Sequence, residues 1–304
     1  VKAVQFTEYG GPEVLRVAEV PEPHAGAGQI RVAVRAIGVN PWDWKVRSGA
    51  MQQFVPVRFP SIPGIEVAGV VDEIGDGVTG TSVGDEVFGF AATGGYAGYA
   101  VLDHDQFAHK PAALPWPEAA ALPVAAETAR RALDMLGVDA GQIVLINGAA
   151  GGVGVAASQL AKLRGASVIG TASEANHDYL RSLGVTPVSY GEGLVQRVRE
   201  IAPNGVDRAL DVAGRGGLRD LIELTRGTDK VITIADPEAQ KYGVRFSSGR
   251  SKDPFPALEE AARLIEQDRF TLPVAETFPL ERAADAHRIS QEGHIRGKLV
   301  LVTA

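Results

Sequence analysis

The sequence predicts an α/β protein in which a doubly wound parallel sheet is joined to a mainly β, partly closed barrel. Three observations predict it. Residues 143–154 read IVLINGAAGGVG, an apolar run, then a nearly side-chain-free turn, then helical spacing. From about residue 121 to 246 strand patterns alternate with helix patterns, which implies a parallel sheet covered on both faces. Residues 1 to about 110 instead fall into short stretches between Gly and Pro clusters, the texture of an all-β region.

Taken in order, Ile30, Val32, Val34 and Ala36 alternate with polar or small residues, and alternation returns over Val67 to Ile74. Alanine-rich helical texture starts at Trp116, with Pro117 and Glu118 as a helix start and a further helix over 127–136, stopped by Gly137. Strands are expected at 143–147, 166–170, near Val188, at 207–211 and at 230–234, with helices at 153–164, 174–183, 192–201 and 215–226. Beyond these come helices at 255–267 and 280–292 and a closing apolar strand at 298–302. The last segment most simply returns to the first domain. The expected division is therefore 1–120 with 247–304, and 121–246.

The turn at 147–154 has the chemistry of a phosphate site. Gly151 removes the side chain where backbone must approach a diphosphate, and Gly154 allows close packing of the helix. The N–H groups of Ala150, Gly152 and Val153 leave the helix start towards an anion, while Ala149 stands where this fingerprint more often has its first glycine. A dinucleotide follows from the completed βαβ unit, and its identity from the next strand tip. An NAD site wants a carboxylate about 20 residues past the glycines to bond the ribose hydroxyls. Here the tip reads Gly170, Thr171, Ala172, Ser173, and Glu174 opens the next helix as a first-turn acid facing solvent. The expectation is NADP(H), with Ser173 and Asn176 as hydrogen-bonding candidates. Ala213, Ile234 and Ala235 follow later strand ends, where a doubly wound sheet binds its ligand.

Composition narrows the partners. A net charge of −7 with no basic block argues against nucleic acid or an anionic membrane, and the chain has no cysteine for a disulfide, a thiol nucleophile or a thiolate zinc site. No apolar run approaches the roughly 20 residues of a membrane helix, and the start of the chain lacks a signal pattern. The expectation is a cytoplasmic protein acting on a small molecule.

The motifs GGPEVL, GVNPWDWKVRSG (38–49), IPGIEVAGVV (62–71), VGDEVFG (83–89), AAALPVAAETA (119–129), NGAAGGVG, TASEAN, FPLERAADAH and RGKLVLV occur in this order. Together they resemble the medium-chain dehydrogenase/reductase superfamily, in its zinc-free branch of quinone oxidoreductases related to zeta-crystallin and near the alkenal and enone reductases. The resemblance implies a Rossmann domain with a GroES-like catalytic domain, hydride transfer from NADPH to a quinone or an α,β-unsaturated carbonyl, and a homodimer. It implies no zinc, since Asn40 and Ile65 stand where zinc-dependent relatives place Cys and His.

Asn40 matches the asparagine of the NPxxxxxRSG motif, and Lys45 stands where zeta-crystallin-like proteins carry a tyrosine. Lys45 has three readings there: donor to an enolate oxygen, partner of a cofactor phosphate, or a side chain in solvent. Thr128 is implied to contact the nicotinamide, Tyr190 the adenosine phosphate and Arg296 the diphosphate. Trp42 and Trp44 either wall a planar substrate or pack a loop. The rival function is an NADPH-binding sensor or storage protein on the same scaffold.

Overall fold

The computed structural model describes residues 1–303 and divides into two compact units, Val1–Val124 with the chain from Lys252 onward, and Ala125–Ser251. The first unit opens with an antiparallel ribbon, β1 (Lys2–Gln5) and β2 (Arg16–Glu19). The long strand β3 (Gln29–Val39) follows, then helix α1 (Pro41–Arg47) and strands β4 (Glu66–Ile74), β5 (Glu86–Phe90), β6 (Tyr99–Asp103) and β7 (Phe107–His109).

Helix α1 corrects the all-β reading of this region. Pro41 at its first position has no N–H to leave unsatisfied, and the Asp43 carboxylate reaches back to the Asn40 backbone N–H at 2.9 Å. Local capping thus makes a helix within a region otherwise composed of short strands.

A second correction concerns α2 (Trp116–Leu136), one helix where two were expected, because Pro123 is accommodated inside it. Proline removes a ladder bond and its ring crowds the preceding turn. The cost is offset from outside the helix, since the next N–H, of Val124, donates to the buried Glu66 carboxylate at 2.7 Å.

The second unit contains β8 (Ile143–Asn147), α3 (Gly152–Leu163), β9 (Ser167–Ala172), α4 (His177–Ser182), β10 (Thr186–Ser189), α5 (Leu194–Ile201), β11 (Arg208–Asp211), α6 (Leu218–Thr225), β12 (Val231–Thr233) and β13 (Arg245–Phe246). Every pairing is parallel, in the order β10-β9-β8-β11-β12-β13. The chain steps outward from β8 in one direction and returns on the other side as β11, so the switch point lies between these two strands. Val144, Leu145 and Ile146 are fully buried, as expected for a strand with helices on both faces. Leu145, Ile169, Ala209 and Val231 pack with Leu194, Val198, Leu218 and Leu221.

Boundaries shift where polar residues sit inside ladders. The strand expected at 166–170 runs through Ala172, because Thr171 pairs with Asn147, and the helix expected at 174–183 opens as a 3-10 turn at Glu174–Asn176. The helices expected from 192 and 215 start at Leu194 and Leu218, after glycine-rich turns, and the short strand β13 carried no sequence signal.

Back in the first unit the chain forms α7 (Phe255–Glu266), β14 (Val274–Pro279), α8 (Ala283–Glu292) and β15 (Lys298–Val302). The sheet order is β14-β15-β3-β4-β5-β7, with β6 also on β3. Residues 29–33 of β3 pair with β6 and residues 36–39 with β15, so one long strand serves two partners in succession. Its core gathers Val4, Phe6, Ile30, Val32, Val67, Val87, Leu102, Phe278 and Leu301.

Candidate functional site

In the second unit the turn after β8 is built from close backbone contacts. Gly148 has φ of +93°, and an added Cβ would meet the Val212 and Ala213 side chains. At Gly154 a Cβ would fall 2.2 Å from the Gly148 carbonyl oxygen, so only glycine lets α3 start this close to the strand end. Gly151 is different, since its added Cβ would meet only the Gly148 oxygen at 3.7 Å and otherwise open space.

The first ladder bond of α3 is Val155 N–H to the Gly151 carbonyl at 2.8 Å. The N–H groups of Gly152 and Val153 are therefore unspent by the helix, with that of Ala150 beside them, and the positive end of the helix dipole lies there. These groups fit a diphosphate, and a cofactor carrying one would be held by Ala150, Gly152 and Val153.

A polar row fixes the edge that carries this turn. Thr171, Asn147, Asp211 and Thr233 are register neighbours across β9, β8, β11 and β12. Thr171 donates to Asn147 Oδ1 (2.7 Å), Asn147 Nδ2 to Asp211 Oδ1 (2.9 Å) and Thr233 to Asp211 Oδ2 (2.7 Å). Three of the four members also hold a loop: Gly148 N–H donates to Thr171 Oγ1, Ala213 and Gly214 N–H to Asp211 Oδ1, and Ala235 and Asp236 N–H to Thr233 Oγ1. Asp211 is fully buried, and every donor that reaches it is neutral. The row thus sets the geometry of Gly148, Ala213 and Ala235 together.

Apart from Thr128, the remaining sequence candidates of this unit follow strands at the same carboxyl edge. Ser173 follows β9, and Asn176 Nδ2 donates to its hydroxyl at 3.2 Å, so these two form one pair, while Glu174 is exposed. Tyr190 follows the neighbouring β10 and is half exposed; the carbonyls of Ser189, Tyr190, Gly191 and Glu192 are gathered by the Arg197 guanidinium. Ala213, Ile234 and Ala235 follow β11 and β12 and are partly accessible. Thr128 on α2 is buried beside Glu127, whose carboxylate takes Arg131, Ser251 N–H and Ser251 Oγ.

In the first unit Asn40, 4% exposed, has its amide engaged at both ends: Nδ2 donates to Glu66 Oε1 at 2.8 Å, and Oδ1 accepts from Lys298, which also pairs with Glu66. Lys45 is half-buried, its ammonium lies 5.7 Å from the Trp44 ring centroid, and burial pushes its pKa down from the ordinary lysine value. No carboxylate pairs with it among the described residues. Trp42 and Trp44 are partly buried on the same helix, with Trp44 Nε1 lacking a partner among the described residues. Arg296 is exposed on the loop between α8 and β15.

Comparison with known proteins gives the assignment. Residues 26–112 match the Alcohol dehydrogenase GroES-like domain family and residues 183–301 the Zinc-binding dehydrogenase family. The chain is 32% identical to a pig (Sus scrofa) quinone oxidoreductase over 326 residues, covering 99% of this chain and 98% of that one. The structure of the quinone oxidoreductase from Coxiella burnetii superposes with a TM-score of 0.86 at 30% identity, covering 100% of this chain and 99% of that one. This chain belongs to the zinc-free quinone oxidoreductase branch of the medium-chain dehydrogenase/reductase superfamily. Within the superfamily, the structure of a mycobacterial protein complexed with NADPH superposes with a TM-score of 0.86 at 29% identity, covering 99% of this chain and 100% of that one.

The zinc in one family's name does not fit this branch member's residues. Asn40 is already committed to Glu66 and Lys298, Ile65 has no ligand atom, and no group of three or more His, Cys, Asp or Glu side chains suited to a metal exists among the described residues. Three or four N, S or O donors converging at about 2 Å are what zinc requires.

Sequence reasoning missed the polar row and Gly148. The signal was present in a modest form: Asn147, Asp211 and Thr233 are each the last residue of a strand, directly after an apolar residue.

Proposed function

We propose that this chain is an NADPH-dependent, zinc-free oxidoreductase that passes hydride to a quinone or an α,β-unsaturated carbonyl compound. The observation that carries the reading is the pair of features at one sheet edge: unspent N–H groups at the start of α3, and hydroxyl and amide side chains at the tip of β9 where an NAD site would have an acid. The sequence relationship to quinone oxidoreductases supports the choice of acceptor.

Bound NADPH supplies the hydride, and the acceptor's own carbonyl polarises the carbon that receives it. The rest of the work falls to the protein. Ala150, Gly152 and Val153 N–H groups would hold the diphosphate, Ser173, Asn176 and Tyr190 would receive the 2′-phosphate, and Ala213, Ile234, Ala235 and Thr128 would border the ribose and nicotinamide. Lys45 Nζ, free of a carboxylate partner, donates to the oxygen on which negative charge develops, a hydrogen bond that strengthens as the charge grows. Asn40 and the indoles of Trp42 and Trp44 line the acceptor. The protein acts in the cytoplasm as a homodimer.

The test follows nicotinamide absorbance with benzoquinones, naphthoquinones and enones. NADPH consumption that depends on acceptor is expected, with NADH much poorer. Consumption of NADH alone would overturn the cofactor, and tight NADPH binding with no turnover of any acceptor would favour a sensor.

A further inference from the structure

The first unit holds a buried polar chain that none of these roles uses. Arg47 Nη1 on α1 lies 3.4 Å from His287 Nδ1 on α8, His287 Nε2 lies 2.9 Å from Tyr96 Oη, and Tyr96 Oη lies 3.2 Å from Asp43 Oδ2, back on α1. Arg47, Tyr96 and His287 are fully buried and Asp43 is 2% exposed, so water does not supply alternative partners. A guanidinium has only donors, so His287 Nδ1 accepts and the ring's single proton stands on Nε2. That N–H then donates to Tyr96, and the phenol proton is left with Asp43 Oδ2 as its acceptor. Direction is thereby fixed along the whole chain, from cation to carboxyl group, and both ends sit on α1.

The same Asp43 oxygen accepts the Asn40 backbone N–H at 2.9 Å. Asp43 Oδ1 is buried without a partner among the described residues. A proton arriving there neutralises the carboxylate without reversing the chain.

We propose that Arg47, His287, Tyr96 and Asp43 form a one-way hydrogen-bond relay that positions α1, and with it Asn40, Trp44 and Lys45, and that the relay holds α1 more tightly when Asp43 is protonated. These are positioning residues, and the inference rests on the reductase reading given above. The groups facing Asp43 are Tyr96 before β6, His287 on α8, Arg47 on α1, Glu66 on β4 and Lys298 on β15, with Glu13 acting on Arg47. Burial lifts the Asp43 carboxyl to about 7, opposed by the Asn40 N–H, Lys298 and the Tyr96 hydroxyl and reinforced by Glu66. Burial, with Arg47 nearby, pushes His287 down to about 3, so it stays neutral as the wiring requires, and burial together with Asp43 raises Tyr96 well above the ordinary phenol value. Asp43 is thus the member of the relay that changes charge near neutrality. As pH rises through about 7 it loses its proton; the Tyr96 contact then gains charge assistance, but the larger cost of a buried carboxylate, the same cost that lifts the carboxyl to about 7, loosens the docked helix.

The test uses the full chain as wild type, Asp43→Asn and Tyr96→Phe. Two of the three tryptophans, Trp42 and Trp44, are on α1, so intrinsic fluorescence of the unliganded protein reports this helix. A fluorescence transition centred near pH 7 is expected in wild type and absent in Asp43→Asn. With a quinone acceptor, kcat should fall about three- to tenfold from pH 6 to pH 8 in wild type and stay flat at the higher level in Asp43→Asn, while the Kd for NADPH is unchanged. Tyr96→Phe should lower kcat and move the midpoint upward, because Asp43 loses a donor. Nitrogen-15 spectra should show neutral His287 protonated on Nε2 from pH 5 to 8. A pH step that survives in Asp43→Asn, or a His287 protonated on Nδ1 or titrating in that range, would overturn the relay. Absence of turnover in wild type at every pH would instead defeat the reductase reading, with fluorescence and spectra still deciding the relay. Should Asp43→Asn fail to fold, Tyr96→Phe and the wild-type spectra decide it.

Discussion

Replacing Asp211 by Asn should damage the second unit far beyond what a one-atom change suggests. Oδ1 receives Asn147 Nδ2 at 2.9 Å and two N–H groups at 3.1 Å, and Oδ2 receives the Thr233 hydroxyl at 2.7 Å. The Thr233 oxygen already accepts two N–H groups, so its proton has to go to Asp211. An asparagine keeps its oxygen for the three donors and presents an NH₂ group to an oxygen with no lone pair left. One charge-assisted bond is lost and one buried donor is stranded, together roughly 3–5 kcal/mol. Relief from burying a carboxylate without a cation offsets part of this, leaving a net loss of about 2–4 kcal/mol. Because the displaced Thr233 hydroxyl is the anchor of Ala235 and Asp236, the Kd for NADPH should rise about tenfold or more, equivalent to about 1.4 kcal/mol of lost preorganisation. Urea unfolding and NADPH fluorescence titration read the two effects. A folded variant with stability within about 0.5 kcal/mol of wild type and a Kd within about twofold would refute the reasoning.

Three further outcomes are expected. Gly151→Ala should fold normally yet bind NADPH poorly, whereas Gly154→Ala should lose both thermal stability and binding, since its methyl group collides with the Gly148 carbonyl; melting curves with and without NADPH separate the two. Lys45→Ala should lower kcat by about ten- to a hundredfold with little change in the Kd for NADPH, and equal loss in both would move Lys45 to the phosphates. Lys298→Met leaves the Glu66 carboxylate buried without its cation and should cost about 3–5 kcal/mol in urea unfolding, a loss below about 1 kcal/mol counting against the ion pair.

What could be read in the sequence was whatever repeats locally. The apolar run 143–146 and the bare turn after it announce a strand and an anion site because both depend on adjacent residues. Helix α1 was missed because its start depends on a proline and on Asp43 reaching back, and α2 was split because the compensation for Pro123 comes from Glu66, 57 residues before it. The relay is less legible still, since Asp43, Tyr96 and His287 come together only in the folded first unit. Polar residues with distant partners carry no periodicity, so sequence pattern registers them as isolated letters.

The pairing of β15 with residues 36–39 of β3 bears on how the chain is made. A ribosome finishes β3 early and must polymerise some 260 further residues before its partner emerges, a wait on the order of 10–50 s at about 5–20 residues per second. Throughout that interval the C-terminal part of β3 has an open ladder, while the intervening Ala125–Ser251 segment is already able to collapse on itself. Nascent chains should therefore adhere to chaperones through the β3 edge, and release should coincide with translation of the last strand.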